Sequence, residues 1–173
     1  AQTADDTTRN AWLYFGGAAT SHGHEDSLNL GMTAFGLNFL PDLGYPENTS
    51  YTPNRLQWVR ATVSHNTVVV DGKSCSSSEN AGFPMHFDDS GMVKLIDTES
   101  DTAFKQTENY RRTLVMVKAG DDVSYGVDFF RKFCSSFIAC DLKLGRRCEY
   151  AVFSHMDINA ENLRINTIFN SYS

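Results

Sequence analysis

Nothing in the 173-residue sequence supplies the positive field that a nucleic-acid partner requires. Only 15 Lys and Arg stand against 21 Asp and Glu, a net charge of -6, and the adjacent basic pairs are Arg111-Arg112, Arg131-Lys132 and Arg146-Arg147. No apolar run approaches the roughly 20 residues that cross a bilayer as a helix, so no membrane span is expected. The chain opens on Ala1 and polar sequence without a charged, apolar and small leader pattern. It is read as a mature form or an internal piece of something longer. The four cysteines, Cys75, Cys134, Cys140 and Cys148, lack C-x-x-C spacing and the density of a disulfide scaffold, so they do not fix the redox compartment. Internal repeats and long helical periods are missing as well.

What is present describes a folded chain. Hydrophobic residues make up 41%, with 12 Phe and 7 Tyr, and the length is one domain's worth. Trp12 to Phe15 reads as an aromatic strand ending at Gly16-Gly17. From Ser27 to Phe35 the apolar residues Leu28, Leu30, Met32 and Ala34 alternate as in a half-buried strand. Gly31 and Gly36 weaken the competing helix. A turn at Leu37-Asn38 into Phe39 to Gly44 would give a hairpin with Asp42 on its return arm, and Pro41 would mark an edge or bulge. Tyr45 to Asn54 and Ser74 to Asn80 are loops, and Asn48-Thr49-Ser50 has the form of a glycosylation acceptor. Ala61 to Val70 is β-branched around His65-Asn66 and is expected to be a strand that turns at Asp71-Gly72. Met92 to Asp97, Tyr110 to Val117 and Val123 to Arg131 complete the main set, with weaker strand signals at Tyr150 to Phe153 and Asn162 to Phe169. Strands at this spacing imply an all-β fold, an antiparallel β-sandwich or a roll.

One short stretch concentrates chemistry: Ser21-His22-Gly23-His24-Glu25-Asp26 holds two imidazoles and two carboxylates in six residues. Histidine serves as a neutral metal ligand or as an acid and base near neutral pH. His24, Asp42 and His65, each on or beside an expected strand, would make a zinc set of two imidazoles and a carboxylate with a position left for water. Spacing alone leaves open the alternative, a turn carboxylate at Asp42 and a hydrogen-bonded core histidine at His65.

Three ordered blocks carry a resemblance: Ser-His-Gly-His-Glu-Asp-Ser-Leu-Asn-Leu at 21–30, Leu-Pro-Asp-Leu-Gly-Tyr-Pro at 40–46, and Val-Ser-His-Asn-Thr-Val-Val-Val-Asp-Gly at 63–72. Together with Tyr110 to Val115 and Val127 to Arg131 they resemble the C-terminal part of the heparinase II/III-like polysaccharide lyases. The resemblance implies a β-sandwich domain, residues 1–131, from an enzyme that cleaves uronic-acid polysaccharide by β-elimination. It also implies an N-terminal (α/α) toroid outside this chain, and a periplasmic or secreted location. Carried over by motif position, His22 is the expected catalytic histidine, and His24, Asp42 and His65 are the expected ligands of a structural zinc.

The chemistry gives these groups reasons. A proton alpha to a uronate carboxylate is weakly acidic, so elimination needs that carboxylate neutralised, a base at C5 and an acid for the departing O4. Asp26 is a candidate to orient an imidazole and Asn66 a candidate support behind a ligand, while Arg55 and Arg60 read as solvated arginines. Residues 132–173, with three of the four cysteines, depart from the family pattern and are expected to be a divergent segment. Two other classes remain. One is a non-catalytic carbohydrate-binding or structural sandwich stabilised by metal. The other is a metallo-hydrolase opening on His-x-His-x-Asp, disfavoured because Asp26 leads into Ser27 and an alternating run instead of Asp-His and a helix.

Overall fold

A computed structural model describes residues 8–17, 22–45, 54–76, 81–121, 123–134, 149–158 and 163–172, the last two segments as backbone only. The glycosylation tripeptide at 48–50, the remainder of the loops at 46–53 and 77–80, and Cys140 and Cys148 lie outside them.

The described chain is nearly all strand, in two antiparallel sheets. β1 (Arg9–Tyr14), β2 (Asn29–Ala34) and β3 (Leu37–Asn38) form a three-stranded sheet in that order. β4 (Phe83–Asp88), β5 (Val93–Glu99), β6 (Thr107–Lys118), β7 (Ser124–Cys134), β8 (Glu149–Ile158) and β9 (Leu163–Tyr172) form a six-stranded meander. Of the sandwich and roll that the strand pattern allows, the chain forms the all-β sandwich that the resemblance implies. Leu13 and Leu30 of the small sheet pack on Leu114, Ile96 and Met116 of the large one. Burial of such side chains drives the sheets together at about 1.5–3 kcal/mol each.

A second cluster gathers under the loops. Leu28, Val70, Cys75, Ala103, Phe104, Tyr110 and Phe130 are buried there together. The Tyr110 ring meets Phe104 edge-on at 5.0 Å and Phe130 at 4.8 Å. Its hydroxyl donates to the Val68 carbonyl at 2.6 Å and lies 3.1 Å from Thr67 Oγ1. Burial pushes this phenol far above its ordinary pKa. Tyr110→Phe leaves that carbonyl without its donor and is expected to cost about 1–3 kcal/mol. The midpoint of urea unfolding, compared with the parent at unchanged slope, measures it.

Several elements differ from the sequence reading. Residues 61–70 are not a strand: a wide helical turn at Arg55–Val59 leads to a 3-10 turn at Thr62–Ser64, and bends follow. The β-branched run fails to extend because its hydroxyls find carbonyls nearby. Thr62 donates to Glu25 O, Ser64 to Trp58 O at 2.7 Å and Thr67 to Ser27 O at 2.8 Å. The first hairpin turns at Phe35-Gly36, with φ of 51° and 72°, two residues earlier than expected. Pro41 and Asp42 consequently lie in irregular chain beyond β3 instead of on a return strand. β4 was not anticipated, and it is exposed along most of its length at the sheet edge. The two weak signals near the C-terminus are full strands, β8 and β9.

Candidate metal centre

Three irregular segments meet beside the Asn29 end of β2, and Asn29 ties them together. Its side-chain carbonyl accepts from the Asn66 N–H at 2.9 Å, and its amide donates to Asp42 Oδ2 at 2.9 Å. Leu30 N donates to Asn66 O at 3.1 Å, Asn66 Nδ2 to Pro41 O at 3.2 Å, and Glu25 N to Arg60 O at 2.9 Å. The loop after β1, the chain after β3 and the 60–67 segment are thereby cross-linked through polar groups, which suits backbone that no ladder satisfies.

Within this frame the expected ligands converge. Candidate ligand atoms of His24, Asp42 and His65 all lie within 4.8 Å of one another. The two imidazole centroids are 5.1 Å apart, with the rings tilted at 42°. His65 Nδ1 lies 2.8 Å from Asp42 Oδ2, and the His65 side chain is fully buried while Asp42 is 37% exposed. An ionised carboxylate only accepts, so this contact assigns the proton to Nδ1 and leaves the lone pair on Nε2. That buried Nε2 has no hydrogen-bond partner among the described residues. Buried polar atoms without partners are rare.

The electrostatics suit a cation. Burial, then the neighbouring His65, lowers the pKa of His24 against the opposing pull of Asp42, with Arg55 and Arg60 adding to the decrease. A neutral ring is the form that ligates. Burial would raise Asp42, but the Gly44 N–H at 2.7 Å and the His65 contact outweigh it and hold the carboxyl below its ordinary range. Asp26 goes the other way. Burial lifts it to about 6, and its Oδ1 has no partner among the described residues. Two imidazoles, one of them with an orphaned buried nitrogen, and a carboxylate fit zinc in type and number, since three protein ligands leave one position open.

The other sequence candidates fall around this cluster. His22 is exposed and stands apart from the three, stacked on Tyr45 at 5.4 Å with its Nδ1 against the Tyr45 hydroxyl. Asp26 is buried within electrostatic reach of His65, whereas Asn66 holds the segments together as described above. Arg55 is buried rather than solvated, and Arg60 sits 3.5 Å from Glu25.

Two further pieces were missed. Asn29 shows in the sequence only as a polar residue inside an apolar alternation, between Leu28 and Leu30. Arg112 on β6 reaches under the site from the large sheet. Its Nε and Nη2 donate to Asp128 at 2.9 and 2.7 Å, and Nη1 donates to the carbonyls of Leu28 and Asn66. Leu28, at φ 59°, occupies a conformation that bulky side chains avoid. The buried guanidinium therefore fixes both the start of β2 and the residue next to His65.

Comparison with known proteins gives the family and the fold. The family model for heparinase II/III-like, C-terminal, matches residues 13–128. Among solved structures, a heparinase III gene product with methylated lysines superposes at TM-score 0.58 and 19% identity, covering 88% of this chain and 21% of that one. A second structure of a heparinase III gene product gives 0.55 and 19%, over 84% of this chain and 20% of that one. The chain thus spans about a fifth of the length of these structures, and the likeness is one of fold. No curated protein matches.

Proposed function

This chain belongs to the heparinase II/III-like C-terminal family, and from that premise we propose that it is the sandwich part of a lyase cleaving uronate polysaccharide by β-elimination. In this reading zinc is held by His24, Asp42 and His65 and braces the three segments that carry them. The observation that carries the proposal is the convergence of these residues, with His22 exposed and differently partnered two positions before His24 in the chain. A bound zinc supplies a structural pin here, joining three irregular segments. The protein acts at a cell exterior or periplasm in this account, where such polymers occur.

His22 does the chemistry on this side. Tyr45 partners its Nδ1, and the ring is exposed. From there the ring neutralises the uronate carboxylate or takes part in moving the proton from C5, while the C4–O4 bond breaks, a C4=C5 double bond forms and O4 leaves with a proton. The remaining groups for that proton transfer come from a toroid domain encoded outside these residues.

The test is expression of the complete reading frame and of the 173-residue chain, each incubated with heparan sulfate, alginate and ulvan and read by the ultraviolet absorbance of unsaturated uronate. The complete protein is expected to form product on one polymer, the short chain none. His22→Ala should lower the rate by about 10²–10⁴-fold. A complete, folded protein inert on every polymer would favour the non-catalytic sandwich instead.

A further inference from the structure

The outer face of the small sheet carries two aromatic rings that the core does not use. Side chains alternate along β1, so Ala11 and Leu13 pack inward while Trp12 and Tyr14 face out, 45% and 42% exposed. Two positions apart on a strand, they stand about 6.4–6.8 Å from each other along it.

Each ring is seated on glycine. Trp12 pairs with Gly31 across the ladder, and a Cβ at Gly31 would fall 2.0 Å from Trp12 Cε2 and 2.1 Å from Cζ2. The indole lies against the backbone of β2 at Gly31 and leaves 45% of the residue exposed to solvent. Tyr14 covers Gly16 in the same way, with its ring end 2.3–2.8 Å from where a Cβ would sit. The strip also has polar ends. Tyr14 pairs across the ladder with Asn29, the residue bonded to Asp42, and Asn10 Nδ2 lies 3.5 Å from Thr33 Oγ1 at the far end.

We infer that Trp12 and Tyr14 form a stacking platform for successive sugar rings of a polysaccharide, running from the candidate metal centre along the outer face of β1 toward Asn10 and Thr33. The inference rests on the lyase reading for its choice of occupant, and the surface supports that choice. A pyranose presents an apolar C–H face and a hydroxylated rim, which match flat aromatic faces bordered by amide and hydroxyl groups. The platform is continuous with the proposed site through the Tyr14 and Asn29 pair. A second copy of the chain fits less well, because two rings offer at most about 300–500 Å² against the roughly 800 Å² per partner of a stable interface.

The test titrates the 173-residue chain with hexasaccharides of heparan sulfate, alginate and hyaluronan, followed by calorimetry and by fluorescence. The sequence has two tryptophans, so a Trp58→Ala background makes Trp12 the sole indole reporter. One or more hexasaccharides should bind and change the Trp12 emission. Trp12→Ala and Tyr14→Ala should each weaken binding roughly tenfold, about 1.4 kcal/mol, whereas Trp12→Phe keeps most of it. Zinc content and melting temperature, measured on every variant, should match the parent. Absence of binding by the parent, binding indifferent to both rings, or a dimer that Trp12→Ala dissociates would each overturn the platform. Ring-dependent binding by a chain that holds no zinc would sustain the platform and count against the metal reading alone.

Discussion

Asp128→Ala is expected to destabilise the fold by about 3–5 kcal/mol, the range for removing one partner of a buried ion pair. The Arg112 side chain is 8% exposed and Asp128 7%, and the pair is bidentate, so the substitution strands a buried guanidinium. Water cannot readily replace the lost carboxylate there. The effect should reach the site as well, because the same guanidinium donates to the carbonyls of Leu28 and Asn66. Asp128→Asn, which retains one acceptor, should lose less. Denaturant unfolding of the three proteins at equal slope decides it, and a loss below about 1 kcal/mol for Asp128→Ala would show that Arg112 is not the brace described.

The second large effect separates two histidines only two residues apart. His24→Ala should lose zinc and stability together, while His22→Ala should change neither, since His22 is exposed and partnered by Tyr45 outside the three-residue cluster. For zinc at about 100 times its dissociation constant, binding contributes about 2.7 kcal/mol to folding. In a chain of this size that corresponds to a melting-temperature drop of roughly 5–10 °C on losing the ion. Elemental analysis and melting curves on both variants measure the contrast, and equal metal loss in the two would defeat the division of roles.

How much of this was legible in the sequence depends on the kind of force involved. Alternating apolar residues made Leu28 to Ala34 readable as a strand, and Tyr110 to Val117 was read as a strand as well. The segment around His65 was misread because β-branched composition is a statement about packing on a pleated surface, whereas here Thr62 and Thr67 spend their hydroxyls on the carbonyls of Glu25 and Ser27. The His24, Asp42 and His65 set was named from residue chemistry and family resemblance, and the fold brings the three together. Asn29 and the Arg112 to Asp128 pair were not visible. Their roles exist only in cross-chain contacts, and Arg112 lies 84 residues from the Leu28 carbonyl it holds. In the sequence Trp12 reads merely as part of an aromatic strand, because Gly31 comes opposite it only through strand pairing.

The most direct test of the account is zinc content of the purified chain by elemental analysis, with a melting curve before and after chelation. The account predicts about one zinc per chain and a lower melting temperature once it is removed. Folded protein without zinc, and with a melting curve that chelation leaves unchanged, would contradict it and reduce His24, Asp42 and His65 to a hydrogen-bonded loop cluster.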